Sequence, residues 1–322
     1  MPHLNRRVFV AGMLAGPAAA WAQEWPTRQI TLVVPFPPGG SVDAISRLLQ
    51  PGLEKALGAT VVVENKPGAS GSIATAQVAK AAPDGGTWLM VFDTHAVNPA
   101  LQALPYDTEK DFEPVLLIGT APYLLATKPD KPYKSLADVV ALAKEKPGTI
   151  SYGSVGTGSL GHLAMVLLAK EAGIDINHVA YRGGGPAVND AVGGHIDLVI
   201  GSVALLTPQV QGGTLRPVVQ TGQTRVPALS AVPTVGESGF AGVEASAWWG
   251  VFAPKGTPAP VTDRFRAALV AYLKEERVTK QLTESQQITL SLGGPDVLRP
   301  FLAEQISIWG GVVRDNNIKA AN

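Results

Sequence analysis

The amino-acid sequence predicts an α/β protein with two lobes, each a mainly parallel sheet flanked by helices, joined by two crossing strands that act as a hinge. Short β-branched runs alternate with segments of helical apolar spacing, and they do so in two separate sets. Glycine-rich turns connect strands to helices in both sets. Two longer apolar runs, residues 115–127 and 248–254, stand at the boundaries between the sets.

The first strand and the first helix are joined by PFPPGGSVD, residues 35–43. Residues 29–34 form a short β-branched apolar run that predicts a buried strand, and the apolar residues from 44 to 57 recur at helical spacing. The prolines and glycines exclude regular structure between them, and Ser41 or Asp43 can cap the helix. The free N–H groups at the helix start form a ready anion site, although an ordinary βα turn explains one such loop equally well.

The remaining elements follow in order along the chain. The first set continues with a strand at 60–64, a turn at 65–71, a helix at 72–80 and a strand at 87–92 that Asp93, Thr94 and His95 close. Gly119 and Pro122 break the apolar run at 115–127. The second set comprises strands at 150–154, 176–181, 196–200 and 216–220, with turns at 155–159 and 182–186. Its helices are predicted at 161–172 and, as a short helix after the second turn, up to residue 192. After the run at 248–254, two helices at about 259–282 and 296–315 end the chain.

This order predicts where the two lobes begin and end. The chain forms lobe 1 from residues 23–121 and 247–322, and lobe 2 from residues 122–246. Two connections between lobes allow hinge motion about a central cleft. Ligands of open α/β sheets bind beyond the carboxyl ends of the strands, so the glycine-rich turns of both lobes should face that cleft.

The first twenty-two residues predict an export signal. Arg6 and Arg7 precede a short apolar stretch, and an A-x-A cleavage site ends at Ala22. The export route, Sec or twin-arginine, stays open. The whole chain has 26 basic and 26 acidic residues, so loss of the two arginines leaves 24 against 26 and a net charge of about −2. This charge balance argues against nucleic acid as a partner. The chain also has no cysteine.

Enzyme signatures are weak or missing. Gly156, Gly158 and Gly161 match the dinucleotide fingerprint, which makes a nucleotide-dependent oxidoreductase the alternative function. The following strand, however, ends in Tyr181-Arg182 instead of the acidic residue that holds a ribose. The sequence contains no P-loop, no G-x-S-x-G elbow and no H-E-x-x-H, and its five histidines lack ligand spacing. We therefore expect no cofactor, no metal and no catalysis; a hydrolase using a cleft serine and a scaffold without a small ligand are further alternatives.

Several side chains admit two roles at this stage. Asp43 either braces its own loop or contacts an amine or hydroxyl of a ligand, and His162 either donates to a carboxylate or caps its own loop. Arg182 is a carboxylate partner or an ordinary surface arginine. Phe36 forms an apolar wall of the site or simply part of the core. Trp248 and Trp249 are expected to pack the crossing strand.

Five motifs resemble those of the Bug receptors, the periplasmic solute-binding proteins of tripartite tricarboxylate transporters. The motifs are residues 35–43 followed by Arg47, ENKPGA at 64–69, YRGGGPA at 181–187, PTVGESG at 233–239, and WG at 249–250 with APKGTP at 253–258. The resemblance covers essentially the whole chain after the signal. Ser41-Val42 departs from the Gly-Thr often found there, which bears on ligand preference.

The resemblance implies a type II-like periplasmic binding protein that closes on a small organic carboxylate. It also implies a monomer in the periplasm that delivers its ligand to a membrane permease. In such receptors backbone amides, hydroxyls and ordered waters of two facing loops hold the carboxylate, here residues 36–43 and 154–162. The identity of the carboxylate stays open. The candidate ligand-binding residues are Phe36, Gly39, Gly40, Ser41, Asp43, Thr94, Ser154, Thr157, Gly158, Ser159, His162, Arg182, Gly183 and Ser202.

Overall fold

The computed structural model describes residues 25–26 and 29–319, which form two α/β lobes on either side of a cleft. The predicted signal segment, with its cleavage site after Ala22, lies outside the described residues. Within the described ranges, no helix is both long enough and apolar enough to cross a membrane.

The strands of the described residues form one continuous sheet that runs through both lobes. Its order is β2-β1-β3-β9-β4-β7-β5-β6, with β8 and β10 also paired to β4. The strands are β1 (Ile30–Val34), β2 (Val61–Asn65), β3 (Thr87–Phe92), β4 (Phe112–Thr127), β5 (Ser151–Ser154), β6 (Asn177–Ala180), β7 (Leu198–Ser202), β8 (Arg216–Gln220), β9 (Ser246–Pro254) and β10 (Thr289–Gly293).

Helices follow most strands, as the alternating sequence pattern predicts. Three short 3₁₀ turns, Ala69–Gly71, Pro227–Leu229 and Ala241–Val243, and a π-helical turn, Gln281–Ser285, lie in the connections. The helices are α1 (Ser41–Leu57), α2 (Ser72–Ala79), α3 (Thr94–Leu101), α4 (Leu136–Glu145), α5 (Leu160–Ala172), α6 (Gly184–Gly193), α7 (Val203–Gln211), α8 (Ala259–Leu273), α9 (Glu276–Lys280) and α10 (Pro295–Asp315).

Each lobe contains three parallel strands, which confirms the predicted βαβ organisation. In lobe 1, β1 pairs in parallel with β2 and β3, and in lobe 2, β5 pairs in parallel with β6 and β7. The crossing strands β4 and β9 run antiparallel to each other and to the neighbours that continue each sheet. The sheet as a whole is therefore mixed, because the chain enters and leaves lobe 2 through the middle of it.

The strand β4 is longer than predicted and belongs to both lobes. We expected Gly119 and Pro122 to break it, and this is wrong: register shifts of the bulge type absorb the irregularities and the strand continues. Its pairing with β9 ends at Pro122 and Ser246, and from Tyr123 onward it pairs with β7 and β8. The lobe boundaries after residues 121 and 246 stay a prediction.

The C-terminal region also corrects the sequence-based prediction. The helix expected at 259–282 ends at Leu273, and a short helix and the π-helical turn follow it. The strand β10 was not predicted. It lies so close to Gly119 on β4 that a Cβ at that position would overlap the carbonyl oxygen of Thr289, and this close approach requires a glycine. The helices α3 and α7 were missed as well, because each contains a proline and spans little more than two turns.

His95 is a buried histidine whose ring lies between Phe112 and Phe252, with centroid distances of 5.6 and 5.2 Å. Neither ring nitrogen has a hydrogen-bond partner. Burial lowers the pKa of His95 from 6.5 to about 3. The folded protein therefore keeps the ring neutral in a range where the unfolded chain binds a proton, and stability falls as the pH drops below 6.5.

We expect His95→Phe to flatten the pH dependence of stability. At pH 5 the proton bound only by the unfolded chain costs the wild type about 2 kcal/mol relative to pH 7.5. The variant should lose about 2 kcal/mol less than the wild type between these two pH values in urea unfolding. His195→Gln, at an exposed site, is the control for the loss of one histidine side chain. Equal pH dependence in His95→Phe and wild type would contradict the assignment.

Candidate functional site

The loop between β1 and α1 ends at Gly40, the N-cap of α1. No side chain caps this helix, so the expectation that Ser41 or Asp43 does so is wrong. The Asp43 carboxylate points back along the chain and accepts a hydrogen bond from the Gly39 amide at 3.0 Å. The first-turn amides of α1 are therefore left without a side-chain acceptor.

Asp43 braces its own loop. Its carboxylate also accepts from Arg47 Nε at 3.0 Å and Asn65 Nδ2 at 2.9 Å, and the same Asn65 amide donates to the Phe36 carbonyl at 3.0 Å. Although burial alone would raise it, hydrogen bonds from Arg47, Gly39 and Asn65 hold the pKa of the Asp43 carboxyl below its ordinary value. Of the two roles considered for Asp43, the contacts favour bracing over ligand contact.

A small pocket lies between the lobes, where the glycine-rich turns meet. Its volume is about 20 Å³, enough for one or two water-sized atoms. We call it the central pocket. Its lining residues are Phe36, Gly40, Ser41, Val42, Phe92, Val155, Gly184, Ser202 and Leu205.

Three helices begin at the central pocket. The helix α1 starts at Ser41 in lobe 1, while α6 starts at Gly184 and α7 at Val203 in lobe 2. None of the three has a side-chain cap at its N-terminus. Each N-terminus carries roughly half a positive charge and unpaired N–H donors, so the central pocket is electrostatically suited to an anion.

Ser202 provides a second, independent sign of a polar ligand. It is the N-cap residue of α7, is 2 % exposed and lines the central pocket. Its hydroxyl makes no hydrogen bond to any residue that the structure describes, although a buried hydroxyl normally has a partner. An oxygen atom in the pocket would supply the missing partner.

A larger cavity of about 540 Å³, which we call the large cavity, adjoins the central pocket. The two share Phe36 and Val155. The turn at residues 68–71 from lobe 1 and residues 155–157 and 180–182 from lobe 2 form much of its wall. Ser70 Oγ bridges the lobes here, because it donates to the Thr157 carbonyl at 3.1 Å.

The lobes touch along a seam of glycine and proline residues beside the central pocket. Gly183 has a φ of +153°, and a Cβ there would lie 2.7 Å from Pro37 Cδ. Cβ atoms on Gly39 and Gly40 would approach Gly185 Cα and the Gly184 amide at 3.9 and 3.8 Å. These glycines therefore permit the backbones of the two lobes to approach closely.

The loop before α5, predicted as the second gripping loop, lines the large cavity through Val155, Gly156 and Thr157, while several of its other polar groups pair within the loop. The Gly158 amide donates to His162 Nδ1 at 3.0 Å, and Ser159 Oγ caps the helix by accepting from the His162 amide at 3.3 Å. Ser154 Oγ donates to the Gly156 carbonyl at 3.0 Å and contacts His178 Nε2 at 2.7 Å. Ser154, Gly158, Ser159 and His162 therefore pair within this loop and line neither cavity, whereas Gly156 lines the large cavity.

His162 follows the second of its two proposed roles and caps its own loop. Its ring also stacks on His178 with a centroid distance of 4.0 Å. Burial, together with the nearby His178, lowers the pKa of His162 to about 3. The ring is therefore neutral at physiological pH, which weakens any role as a cationic donor to a carboxylate.

A buried hydrogen-bonded pair, Tyr123 and Asp93, lies at the start of α5, and sequence analysis did not predict that these two residues interact. Tyr123 on β4 donates from its hydroxyl to Asp93, which follows β3 and is fully buried. Burial raises the pKa of Asp93 to about 7, while hydrogen bonds from Tyr123 and the Leu160 and Thr94 amides act in the opposite direction. Asp93 therefore connects lobe 1 to β4 and to the N-terminus of α5. In the sequence, the only indication of this role was its position at the end of the strand β3.

The predicted site residues are thus distributed over three cavities and the loops around them. Phe36, Gly40, Ser41 and Ser202 line the central pocket, and Phe36, Thr157 and Arg182 line the large cavity. Gly39 lines a third cavity of about 450 Å³ behind the central pocket, which we call the rear cavity. The remaining candidates line neither the central pocket nor the large cavity: Asp43, Thr94, Ser154, Gly158, Ser159, His162 and Gly183.

Sequence analysis predicted Ser202 at the start of α7 but missed Leu205 within that helix and the turn at 68–71 as parts of the site. Residues 65–71 were predicted as an ordinary turn, yet Gly68, Ala69, Ser70 and Gly71 all have positive φ values. Asn98 and Gln102 of the missed region around α3 donate to the carbonyls of this turn. In the described part of the chain, no group of three or more metal-ligating side chains lies together.

Comparison with known proteins shows which family this chain resembles. The family described as tripartite tricarboxylate transporter family receptor, TctC, matches residues 45–318. BugT from Bordetella pertussis is 34 % identical over 97 % of this chain and 96 % of its own length.

Two solved structures share the fold over nearly the whole described chain. An R. palustris protein solved with adipate is 33 % identical with a TM-score of 0.88, over 92 % of this chain and 99 % of that chain. The periplasmic binding protein BugD is 32 % identical with a TM-score of 0.87, over the same shares of both chains. The predicted two-lobed α/β fold class is confirmed.

Proposed function

The chain belongs to the tripartite tricarboxylate transporter receptor family, and on this premise we propose that it captures a small organic carboxylate between its lobes in the periplasm. The match at residues 45–318 includes elements of both lobes, and the resemblance to Bug receptors stated from five motifs is confirmed. Adipate in one similar structure supports a carboxylate as the ligand class.

One observation carries the proposal: helix N-termini from both lobes converge on the central pocket beside the unpartnered hydroxyl of Ser202. An oxyanion there accepts from α1 on one side and from α6, α7 and Ser202 on the other. Because it interacts with both lobes, the ligand favours the closed arrangement by its differential affinity. Backbone donors need no buried cation, which avoids a large desolvation cost.

The remaining parts of the proposal concern the surroundings of the site. Phe36 is an apolar wall, Asp43 and Gly183 shape the closing loops, and Arg182 lies at the edge of the large cavity. The lobes comprise residues 23–121 with 247–322 and residues 122–246, which the change of strand partners at Pro122 supports. The receptor acts as a monomer, catalyses no reaction, and passes its ligand to a separate membrane permease after export by its signal peptide.

Carboxylate binding is tested on refolded, ligand-free protein, first by a thermal-shift screen of carboxylates and then by calorimetry. Ser202→Ala should weaken the best ligand at least about tenfold, since a hydrogen bond to a charged group contributes about 1.5–3 kcal/mol. Thr207→Val is the matched control, because Thr207 is a buried, unpartnered hydroxyl in α7 that lines no interlobe cavity. Equal affinities in Ser202→Ala and wild type would remove Ser202 from the site, and no shift with any carboxylate would overturn the proposal.

The same assay addresses the nucleotide alternative. The Gly158 amide in the dinucleotide-like turn already donates to His162 Nδ1, which disfavours a pyrophosphate there. We therefore expect no thermal shift with NADH or NADP. A nucleotide at about 100 times its dissociation constant would add roughly 2.7 kcal/mol of stability, and such a shift would favour the oxidoreductase.

A further inference from the structure

The turn at residues 68–71 has a strained backbone and stands at the site itself. Ala69 and Ser70 have φ values of 45° and 52°, and the glycines on either side of them also have positive φ. A left-handed backbone costs free energy in a residue other than glycine, so such a turn persists only where its surroundings hold it. All four residues of the turn line the large cavity.

Side chains of lobe 1 hold this turn in place. Asn98 of α3 is 1 % exposed, and its Nδ2 donates to the Ser70 carbonyl at 3.1 Å. Thr75 of α2 is also buried, and its hydroxyl donates to the Gly71 carbonyl at 2.9 Å. A Cβ on Gly71 would lie 3.1 Å from Pro35 Cβ, so the turn also packs against the first gripping loop. The turn therefore moves with lobe 1.

The turn directs the Ser70 hydroxyl at the other lobe. Ser70 Oγ donates to the Thr157 carbonyl at 3.1 Å, and a Cβ on Gly156 would lie 3.2 Å from the same oxygen. Beside this contact, Leu101 of α3 packs so closely on Gly158 that a Cβ there would overlap it. The glycines before α5 thus allow two groups of lobe 1 to reach the lobe 2 backbone.

This hydrogen bond differs from the other contacts between the lobes. Among the described residues, it is the only direct hydrogen bond between residues that line the large cavity from opposite lobes. The seam beside the central pocket brings residues 37–40 close to residues 183–185, yet no hydrogen bond joins these two segments in the described chain. The bond from the Ala228 amide to Gln287 Oε1 also joins the lobes, but both residues lie outside the linings of the three cavities. The Ser70–Thr157 bond must therefore break when the cleft opens at the large cavity.

We propose that the turn at residues 68–71 is a latch that holds the lobes closed over a bound ligand and so sets how slowly the ligand leaves. This inference rests on the proposed function and deepens it. The Ser70 hydroxyl makes the contact with lobe 2, and Asn98 is the positioning residue that keeps it within reach of Thr157. Because the bond forms only after the lobes have closed, it slows dissociation and leaves association unchanged.

Ser70→Ala and Ser70→Gly test the latch by stopped-flow measurement of association and release. The probes are adipate and succinate, and an acid that gives no thermal shift is replaced by the carboxylate of the screen with the next largest shift. Both variants lose the hydroxyl, and glycine readily adopts a φ of 52°, so Ser70→Gly keeps the turn. We expect release to be about fivefold faster in both variants and for both acids, the usual contribution of one hydrogen bond between neutral groups.

The association rate should stay within about twofold of the wild type. Ser238→Ala is the matched control, because this hydroxyl donates to the Thr234 carbonyl at 2.8 Å within lobe 2, and its rates should equal those of the wild type. Release within about twofold of the wild type in either Ser70 variant overturns the latch. So does an acceleration that differs more than about threefold between the two acids, since loss of a contact with the ligand itself would then explain it.

A double variant tests the role of Asn98. Asn98→Ala should speed release in the wild type and add nothing in the Ser70→Ala background, because both changes remove the same contact. A further acceleration in the double variant contradicts the positioning role. The Ser70 variants decide the inference even if Asn98→Ala does not fold. If no carboxylate binds to the wild type, the proposed function is overturned and the latch with it.

Discussion

Replacing Gly40 with leucine is expected to weaken carboxylate binding by at least about 100-fold and to leave the fold intact. The φ of −83° at Gly40 is accessible to any residue, and a Cβ there has no neighbour closer than 3.8 Å, so the backbone tolerates a side chain. The rest of the leucine extends into the space between the lobes, where Gly40 lines both the central pocket, with a volume of only about 20 Å³, and the rear cavity. It also faces Gly184 of the other lobe and so hinders closure.

The magnitude follows from the donors that leucine displaces. Loss of two hydrogen bonds to a charged oxygen costs about 3 kcal/mol or more, and each 1.4 kcal/mol corresponds to a factor of ten in affinity. The measurement is calorimetry with the best carboxylate of the screen, with circular dichroism as the test of folding.

A graded series and a distant glycine control this experiment. Gly40→Ala adds only the Cβ and should weaken binding less than Gly40→Leu. Gly311 lies within α10, and a Cβ there meets no atom within 4 Å, so Gly311→Leu should bind normally. Normal affinity in a folded Gly40→Leu protein would mean that the carboxylate does not use the central pocket.

The second large effect is on stability, and we expect Trp88→Ala to lower the free energy of unfolding by about 3–5 kcal/mol. Trp88 on β3 is fully buried, and its ring stacks on Phe265 of α8 at a centroid distance of 3.7 Å and an angle of 6°. Its indole N–H donates to the Gly85 carbonyl at 2.8 Å. Alanine removes the stacking and leaves a cavity between the sheet and α8.

Urea unfolding followed by circular dichroism measures this loss. Trp88→Phe keeps an aromatic ring against Phe265 and should lose clearly less stability than Trp88→Ala. Ile73→Ala, at an exposed apolar residue, should change stability by less than about 0.5 kcal/mol. A loss below about 1 kcal/mol in Trp88→Ala would show that the stacked pair contributes little to lobe 1.

The first gripping loop illustrates how far sequence reasoning reaches. The sequence PFPPGGSVD located a strand end, a turn and the start of α1, because prolines and glycines restrict the backbone locally. It also located Phe36, Gly40 and Ser41, which line the central pocket. The partners of Asp43 were not predictable, since Asn65 comes from a separate strand and its contact depends on how β1 and β2 pair.

The second loop shows what such reasoning leaves open. The turn at 155–159 has the glycine pattern of an anion site, yet His162 Nδ1 and Ser159 Oγ accept from two amides at the start of α5, those of Gly158 and His162. The donors that face the central pocket belong to α6 and α7 instead. A glycine-rich turn predicts available donors, but the side chains that fold back onto it decide whether those donors stay available.

The sequence by itself determined the alternation of strands and helices, the glycine-rich turns and the two-lobed fold, because these depend on local backbone preference and apolar spacing. It determined the family through the resemblance of its motifs. Only the tertiary structure decided that β4 runs through both lobes and that α1, α6 and α7 begin at one pocket. It also decided that the Ser202 hydroxyl has no hydrogen-bond partner among the described residues. These properties depend on which residues from distant parts of the chain come within hydrogen-bond distance, and local spacing does not encode that.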